Sequence, residues 1–529
     1  MQRDSISQSV LSKQHWFYII ALLLLGYCFF YLASSRIPLL DPDEPRYAEA
    51  AREMLETGDW INPQFNYINR WDKPVLFYWF LLWSFQVAGV SASAARFVPA
   101  LFGTLVMLLI FFWGWVRGRA RHGFLAACIW ASMVIVVTVS RLVITDMALC
   151  FFIALSIALA YESWKKPSRL LLVMSYSSMA IASLIKGPVG IVLPGLVFVV
   201  FLLSKRDISV LFHRQHLLGF FVFLLISVPW YWIQTAHYGM AFLQYFFIKH
   251  NLQRAVTDQL KHTEALYYYI PIILGGIFPW TVYLPQSLMR FKEKWSDDWF
   301  RINMIWCVTV LVVFSLSRAK LPTYILSLFV PMAMLLGSFW DNIFSDRLRP
   351  RKGLFISLAV LGLIHVVFIS IFPQYWYQLS AVDPGHMRML FVPSFFVILI
   401  MLYMVFRDRF RFVFVMMIAY LFLIGIPVLF SIGPTLGQMR SMKSIANVIP
   451  EGAEVGFYKL YKPSLVFYTK RCILRIDTMD ALKNKIKQAE SFYCVMRENE
   501  YQQLKEQGVD LYVLQQTWDK VLVINKNMK

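Results

Sequence analysis

The chain has 529 residues, of which 58% are apolar, 17% aromatic and only 16% charged. That is too apolar for a soluble protein and too long for one buried core, so the composition describes a polytopic α-helical membrane protein. The formal net charge of +20 would suggest nucleic acid in a soluble chain, but much of it sits in short loops between apolar runs, where anionic lipid headgroups are the partner, and no nucleic acid is expected.

The first apolar run, residues 16–33, follows a polar stretch with Arg3 and Lys13 and is not followed by a small-residue cleavage site, so it is expected to stay as a membrane anchor. A spanning helix needs about 20 mostly apolar residues. That rule gives thirteen spans, near 16–36, 96–116, 122–141, 145–163, 169–186, 188–204, 216–234, 267–289, 301–317, 323–341, 353–372, 389–406 and 411–431. Six loops between them are crowded with Lys and Arg, at 117–121, 165–169, 205–206, 290–294, 347–352 and 407–411. Basic loops stay on the cytoplasmic side. The N-terminus is therefore expected inside, and the end of the last span outside.

The apolar run 75–89 is too short to span, and counting it would break the alternation of basic loops. It is expected as a juxtamembrane or re-entrant helix of the outer face. The segment 37–95 then becomes one long outer insertion, with a helix at 46–56 behind an Asp41/Asp43 capping region. After Gly433 the composition changes to strand-like runs at 454–459, 465–469, 492–496, 511–514 and 521–524, with helical patterns at 478–490 and 500–508. Two domains follow: a transmembrane domain over 1–433 and a small outer α/β domain over 434–529. Cys28, Cys128, Cys150 and Cys307 fall in apolar spans as small hydrophobes. Pairing of Cys472 with Cys494 in the tail stays open.

Two sets of charges stand out once the orientation is fixed. Asp41, Asp43, Glu44 and Glu49 follow the first span directly, and Asp146 reaches the same level from another helix. Acids favour a helix N-terminus, but a carboxylate at the start of a span is costly and is usually partnered or functional. Lys73, Lys186, Arg254, Arg318 and Lys320 lie near segment ends on the outer side, where orientation gives no reason for cations. Each alone could be a snorkelling side chain; together they point to an anionic ligand. His250 and His262 lie near Glu264, but their irregular spacing does not define a metal site.

Carboxylates beside fixed cations at an outer leaflet suit transfer of a sugar from a lipid phosphate. The departing phosphate would be stabilised by Lys and Arg already aimed at it. A carboxylate would deprotonate an acceptor hydroxyl or, for an acceptor that is already an ionised phosphate, orient the sugar or a neighbouring cation; both roles stay open. No Gly-rich phosphate loop or Walker pattern is present, which leaves a lipid-linked donor.

The stretches Asp43-Glu44-x-Arg46-Tyr47-Ala48-Glu49, Gly58-Asp59-Trp60, Lys73-Pro74, Lys186-Gly187, His250-x-x-x-Arg254 and 320–326 (Lys-Leu-Pro-Thr-Tyr-Ile-Leu) look like those of the bacterial lipid A aminoarabinose transferases. More broadly they resemble the C-type membrane glycosyltransferase fold (GT-C), which includes the protein O-mannosyltransferases. The resemblance implies an inner-membrane enzyme that uses an undecaprenyl phosphate-linked sugar at the periplasmic face, requires no cofactor, and passes the sugar to lipid A or a related envelope glycolipid. It implies Asp43 as principal catalytic carboxylate, Glu44 in support and Asp146 as a second acid. It also implies Lys73, Arg254 and Tyr324 as carrier-phosphate ligands, with Arg46, Tyr47, Lys186, Arg318 and Lys320 supporting them. Residues 61–72 follow no pattern tied to aminoarabinose, which leaves the sugar open. Transfer to Ser or Thr of a protein is the alternative within the same chemistry. A lipid-carrier flippase would need its cations reachable from both faces in turn.

Overall fold

A computed structural model of the protein describes residues 12–253, 264–289, 294–380, 384–489 and 491–525. The chain divides into two units. One takes the chain up to Leu32, Trp71–Phe77 and Arg96–Pro427; the other takes Ala33–Arg70, Tyr78–Ala95 and Val428–Lys529.

Ten described helices are long and apolar enough to cross a membrane: Lys13–Tyr31, Ala92–Val116, Asp146–Lys165, Arg169–Lys186, Arg214–Tyr238, Asp298–Leu316, Pro322–Phe344, Arg351–Tyr377, Met387–Phe406 and Phe410–Arg440. The protein is thus multi-pass, and each of the ten lies over one of the thirteen expected spans. The other three expected spans take different forms. Residues 188–204 form the shorter apolar helix Val189–Lys205. The expected span 122–141 is two helices, Ala120–Ala131 and Val134–Val139, because Met133 between them is extended with ψ 133°. The expected span 267–289 is a pair, Leu266–Ile277 and Trp280–Leu288, bent by 104°. Pro279 lies in that bend and Phe278 before it is extended, the conformation a following proline enforces. By length and composition the described spans number ten, or eleven with the bent pair taken as one. The apolar run 75–89 is a helix, Leu76–Ala88, of 13 residues.

Close approach between the first helices of the membrane unit depends on glycine. A Cβ on Gly114 would meet the Cα of Gly123 at 2.6 Å, so the Ala92–Val116 and Ala120–Ala131 helices touch backbone to backbone, as small residues allow.

The basic loops are knitted together by acids. Arg119 reaches Asp297 at 3.0 Å, Arg121 reaches Asp341 at 2.6 Å, and Lys165 and Lys205 both bind Asp298, at 2.5 and 2.7 Å. Arg117 lies 3.6 Å from Glu162, Arg411 2.9 Å from Asp346 and Arg351 3.9 Å from Asp408. Loops that share ion pairs share one end of the helices. Each exposed pair is worth about 1 kcal/mol at most; together they fix which loops neighbour which.

In the other unit, β3 (Glu454–Tyr458), β4 (Leu474–Ile476), β5 (Phe492–Arg497), β6 (Leu511–Thr517) and β7 (Lys520–Asn525) form one sheet in the order β4-β3-β5-β7-β6. β3 runs parallel to β4 and β5, while β7 is antiparallel to β5 and β6. Both faces are covered. Tyr493, Val495, Leu522 and Ile524 join one apolar cluster, and Phe492, Cys494, Met496, Val521 and Val523 join the other, the alternation a strand imposes. Two features depart from the sequence expectation. Residues 465–469 form the helix Pro463–Thr469, not a strand, with Pro463 in its first turn and Lys470 left-handed at its end. Strand β4 was not expected at all. Cys472 is exposed, Cys494 is buried within the sheet's apolar face, and both are free.

The insertion at 37–95 carries the helix Asp43–Thr57 and a hairpin of β1 (Gln64–Phe65) and β2 (Ile68–Asn69). At the hairpin tip Asn66 and Tyr67 have φ 57° and 58°, the mirror-image turn that fits strand twist. The Glu53 carboxylate holds this turn by accepting the Asn66 and Tyr67 amides at 2.7 and 2.9 Å. Asn66 in turn brackets Ile473, donating to its carbonyl at 3.0 Å and accepting its amide at 2.8 Å. Arg52 binds Glu49 at 2.8 Å and Glu56 at 2.6 Å. Glu49 and Glu53 are both fully buried.

Burial, with Glu49 beside it, pushes the Glu53 carboxyl up from 4.5 to about 8. Between those values the folded protein holds a proton that the unfolded chain has lost, so stability falls as pH rises through that window. We expect exchange protection of hairpin residues 64–69, corrected for intrinsic rates, to be greatest near pH 5 and lowest above pH 8. Glu53→Gln should flatten the dependence. Glu53→Ala should lower protection at every pH, because two turn amides lose their acceptor at about 1–3 kcal/mol each.

Candidate active site

The membrane unit brings three of the expected residues together. Asp146 opens the helix Asp146–Lys165 and Lys186 closes the neighbouring helix Arg169–Lys186. Each charge complements the dipole of its own helix, and the antiparallel pairing of the helices puts both at the same end. The chain leaves through Gly187 at φ 88°. The Lys186 ammonium lies 2.7 Å from the Asp146 carboxylate, with side chains 13% and 9% exposed, and 4.8 Å from the centre of the Tyr324 ring. Tyr324 stands on the short 3-10 segment Pro322–Leu328 and packs against Phe314 at 5.7 Å.

Lys320 also belongs to the 320–326 stretch, but it is buried and donates to the Glu264 carbonyl at 2.9 Å. The Tyr269 hydroxyl donates to the Leu321 carbonyl at 3.3 Å. These two bonds fix the backbone from which Tyr324 projects, so Lys320 acts here as a structural clamp. Arg318 is exposed in the same connection. Lys73 is half-buried, next to Asp72, which accepts the Tyr245 hydroxyl at 2.9 Å, and to Trp71, whose ring lies 5.1 Å from that of Tyr238. Arg254 and His262 lie outside the described residues. Among the described residues no three His, Cys, Asp or Glu side chains gather as a metal centre.

The other unit holds the acidic motif, and its four carboxylates have four different fates. Asp41 accepts the Ser464 amide at 2.8 Å and the Ser464 hydroxyl at 2.5 Å. Burial raises its pKa and these bonds from Ser464 oppose the rise. It therefore does not cap the following helix, as its position had suggested; the helix has no side-chain cap. Glu44 is buried and accepts the Leu40 amide at 2.9 Å. Glu49 is held by Arg52. Asp43, in the first turn of the helix, is exposed and has no hydrogen bond or ion pair to any described residue.

Around Asp43 the chain is nevertheless tightly fixed. The Leu39 amide donates to the Tyr468 hydroxyl at 2.8 Å, and the Asp41 amide to the Arg440 carbonyl at 3.0 Å. Tyr47 is buried, with its ring 5.9 Å from that of Tyr78 and the Arg70 guanidinium 4.7 Å from its centre. Arg46 lies near Tyr461, whose phenol burial raises and whose pKa the nearby cation works to lower. The clasp of Asp41 on Ser464 and the support of the hairpin by Glu53 were missed in the sequence. Their partners lie hundreds of residues away or in a turn of unmarked composition, and only the density of acids at 41–53 hinted at them.

Three comparisons bear on this arrangement. Residues 15–246 match the family model of dolichyl-phosphate-mannose-protein mannosyltransferases. The undecaprenyl phosphate-alpha-4-amino-4-deoxy-L-arabinose arabinosyl transferase of Serratia proteamaculans is 28% identical over 62% of this chain and 61% of its own length, and that of Aeromonas hydrophila is 32% identical over 59% and 58%. The second such transferase of Proteus mirabilis is 31% identical over 65% and 64%. The chain thus spans about three fifths of the length of the curated relatives it matches. In fold, the crystal structure of ArnT from Cupriavidus metallidurans bound to undecaprenyl phosphate superposes with a TM-score of 0.82 at 22% identity, covering 98% of this chain and 99% of that one. The resemblance read from residues 43–49 and 320–326 therefore holds as a resemblance: the chain is similar in sequence to aminoarabinose transferases and is a membrane protein with the C-type glycosyltransferase fold.

Proposed function

We propose that the protein moves a sugar, aminoarabinose or a close relative, from undecaprenyl phosphate to lipid A or a related envelope glycolipid. It does so at the periplasmic face of the bacterial inner membrane, with the N-terminus cytoplasmic and the sheet domain periplasmic. The observation that carries this reading is Asp43, an exposed and unengaged carboxylate on a backbone anchored on both sides of it. The family likenesses supply the substrate class.

In the reaction an acceptor phosphate oxygen attacks the anomeric carbon, and the bond from that carbon to the carrier phosphate breaks. The electron pair leaves on the carrier, which becomes free undecaprenyl phosphate. An acceptor phosphate is already ionised and needs no base. Asp43 then serves by pairing with the cationic amino group of the sugar, while Lys73, Arg254 and Tyr324 hold the leaving phosphate as its charge grows. Lys186, set by Asp146, offers a cation at the outer end of its helix, and Arg46, Tyr47, Glu44, Arg318 and Lys320 shape the surrounding chain. The cytoplasmic orientation of the basic loops follows from their charge, and the ion pairs that join those loops support a single common face.

Transfer to Ser or Thr of a protein is favoured by one observation, the match of residues 15–246 to protein mannosyltransferases. A hydroxyl acceptor would make a general base obligatory. Mass spectrometry of lipid A and of periplasmic proteins from a deletion strain separates the two.

Asp43→Asn should lower turnover at least about 100-fold with insertion and thermal stability unchanged, since the side chain makes no hydrogen bond or ion pair to a described residue, whereas Lys73→Ala should act mainly by raising KM for the lipid-linked donor. Both are read by mass spectrometry of lipid A with purified enzyme and donor; full activity of Asp43→Asn would remove the reading. The Asp146–Lys186 pair is tested differently. Asp146→Asn leaves a mostly buried ammonium without its carboxylate and should cost about 3 kcal/mol of stability. The double variant Asp146→Ala with Lys186→Met should restore the unfolding midpoint while leaving transfer impaired. Recovery of both would assign the pair to structure alone.

A further inference from the structure

The helices Arg169–Lys186 and Arg214–Tyr238 both start at the end of the membrane unit that carries the basic loops, and they touch near their starts. A Cβ on Gly219 would collide with the Tyr176 ring, so glycine is what admits the ring, and the Tyr176 hydroxyl lies 3.1 Å from Nδ1 of His216. Beside this contact is an open cavity of about 700 Å³. It is lined by Arg169 of the first helix, by Arg214, Gln215 and Leu218 of the second, and by Phe212 and His213 just before the second. That volume lies within the range of sites for small organic groups.

The charge on the wall is of one sign. Arg169, His213 and Arg214 are exposed, and their side chains make no ion pair or hydrogen bond with a described residue. No carboxylate lines the cavity, and neither helix has an acid in its first turn. Asp207, the acid of the connection before Arg214, is spent on the Trp164 indole N–H at 2.8 Å. Elsewhere at this end Arg119, Arg121, Lys165 and Lys205 each have an acid within reach. Two guanidiniums that stay charged at any physiological pH thus face the cavity with no anion beside them. The surface that leads to them is apolar. Only 22% of the apolar stretch of Arg214–Tyr238 is buried inside the protein, the smallest share among the ten described spans. Leu218, on the cavity wall, begins a row of exposed side chains with Phe221 and Leu225, at the three- and four-residue spacing of one helix face. Leu170 and Met174 are exposed on the neighbouring helix.

We propose that the cavity seats the headgroup of an anionic phospholipid, its phosphate between Arg169 and Arg214 and its acyl chains along Leu218, Phe221 and Leu225. A basic pocket between spanning helices is suited to such headgroups. One leaflet is about 15 Å of hydrocarbon, or about ten residues of helix, which is the reach from Arg214 to Leu225. A zwitterionic headgroup would bring an ammonium to a wall with no acid to receive it, so the site discriminates by net charge. A soluble phosphate would meet the cations but have no use for the apolar row. The site lies at the start of the helix that Lys186 ends, so it is separate from the Asp146–Lys186 pair.

The test uses the full-length protein in detergent, with bound lipid read by native mass spectrometry. Phosphatidylglycerol, which is anionic, should be retained about tenfold better than phosphatidylcholine, which is zwitterionic. The double variant Arg169→Gln with Arg214→Gln should erase most of that preference. Lys166→Gln with Arg206→Gln removes the same charge from exposed side chains of the same connections, off the cavity wall, and should leave the preference in place. A phosphatidylglycerol with a photoreactive group on the first carbons of an acyl chain should label the native protein within residues 212–225, and this readout decides even if the double variant fails to fold. Equal retention of the two lipids, an equal loss of preference in both double variants, or labelling confined to other spans overturns the proposal. So does displacement of the lipid by glycerol 3-phosphate, which would assign the cations to a soluble ligand, or a dimer that retains no phosphatidylglycerol, which would assign the exposed helix face to a second copy of the chain.

Discussion

A spanning helix can keep its charges only at its ends, and there each charge must find a partner or water. In the membrane unit that constraint sorts the charged residues into two sets. At one end Arg and Lys of the loops share a small number of acids, with Asp298 serving two lysines at once. At the other, Asp146 pairs with Lys186, the carboxylate buried and the lysine nearly so. The two sets differ in electrostatic character: the loop pairs are more exposed and individually weak, whereas the Asp146–Lys186 pair, with side chains 9% and 13% exposed, is one whose breaking is felt strongly. A mesh tolerates substitution, whereas a largely buried pair concentrates the cost of substitution on two residues. The Tyr324 ring adds a second contact to the same ammonium, at 4.8 Å.

The helices were legible because hydropathy and basic loops are local signals that need no knowledge of the partner. What sequence length could not settle was where a helix breaks. Met133 carries no helix-breaking side chain, and its extended backbone divides one expected span into two. Pro279 was visible, but whether it would kink a span or fold it back by 104° depends on the packing of Trp280 and Tyr283, which are both fully buried. In the sheet domain the alternating strands β5 and β7 were clear. The run at 465–469 was not, because four apolar residues in a row fit a buried strand or one turn of a buried helix equally well. Pro463, ahead of the run, was the only local sign of the helix.

The candidate site divided in the same way. Asp146 and Lys186 were expected from their positions at span ends and Tyr324 from the resemblance, and the three do converge. Lys320 carried the same signal and has a different use, since an outward cation and a buried clamp to the Glu264 carbonyl are indistinguishable until the fold is seen. Residues 61–72, which matched no pattern, hold the β1–β2 hairpin. Its logic lies in Glu53 and Ile473, one in the preceding helix and one more than four hundred residues on.

The acidic motif shows why position within a cluster matters more than charge. Asp41, Asp43, Glu44 and Glu49 are near-equivalent in sequence, and any of them could open a helix or serve as a reactive carboxylate. Folding commits three of them: Asp41 to Ser464, Glu44 to the Leu40 amide and Glu49 to Arg52. Each commitment uses lone pairs that a substrate would otherwise need, and those of Asp41 and Glu44 also restrain the chain next to Asp43. The fourth carboxylate thereby acquires what a substrate-binding group requires, an unspent charge on a backbone whose position has already been fixed before the ligand arrives. If Asp43 has the role proposed for it, Asp41 and Glu44 would act only through its placement, so losing either should be felt as misplacement of Asp43 and not as loss of a charge.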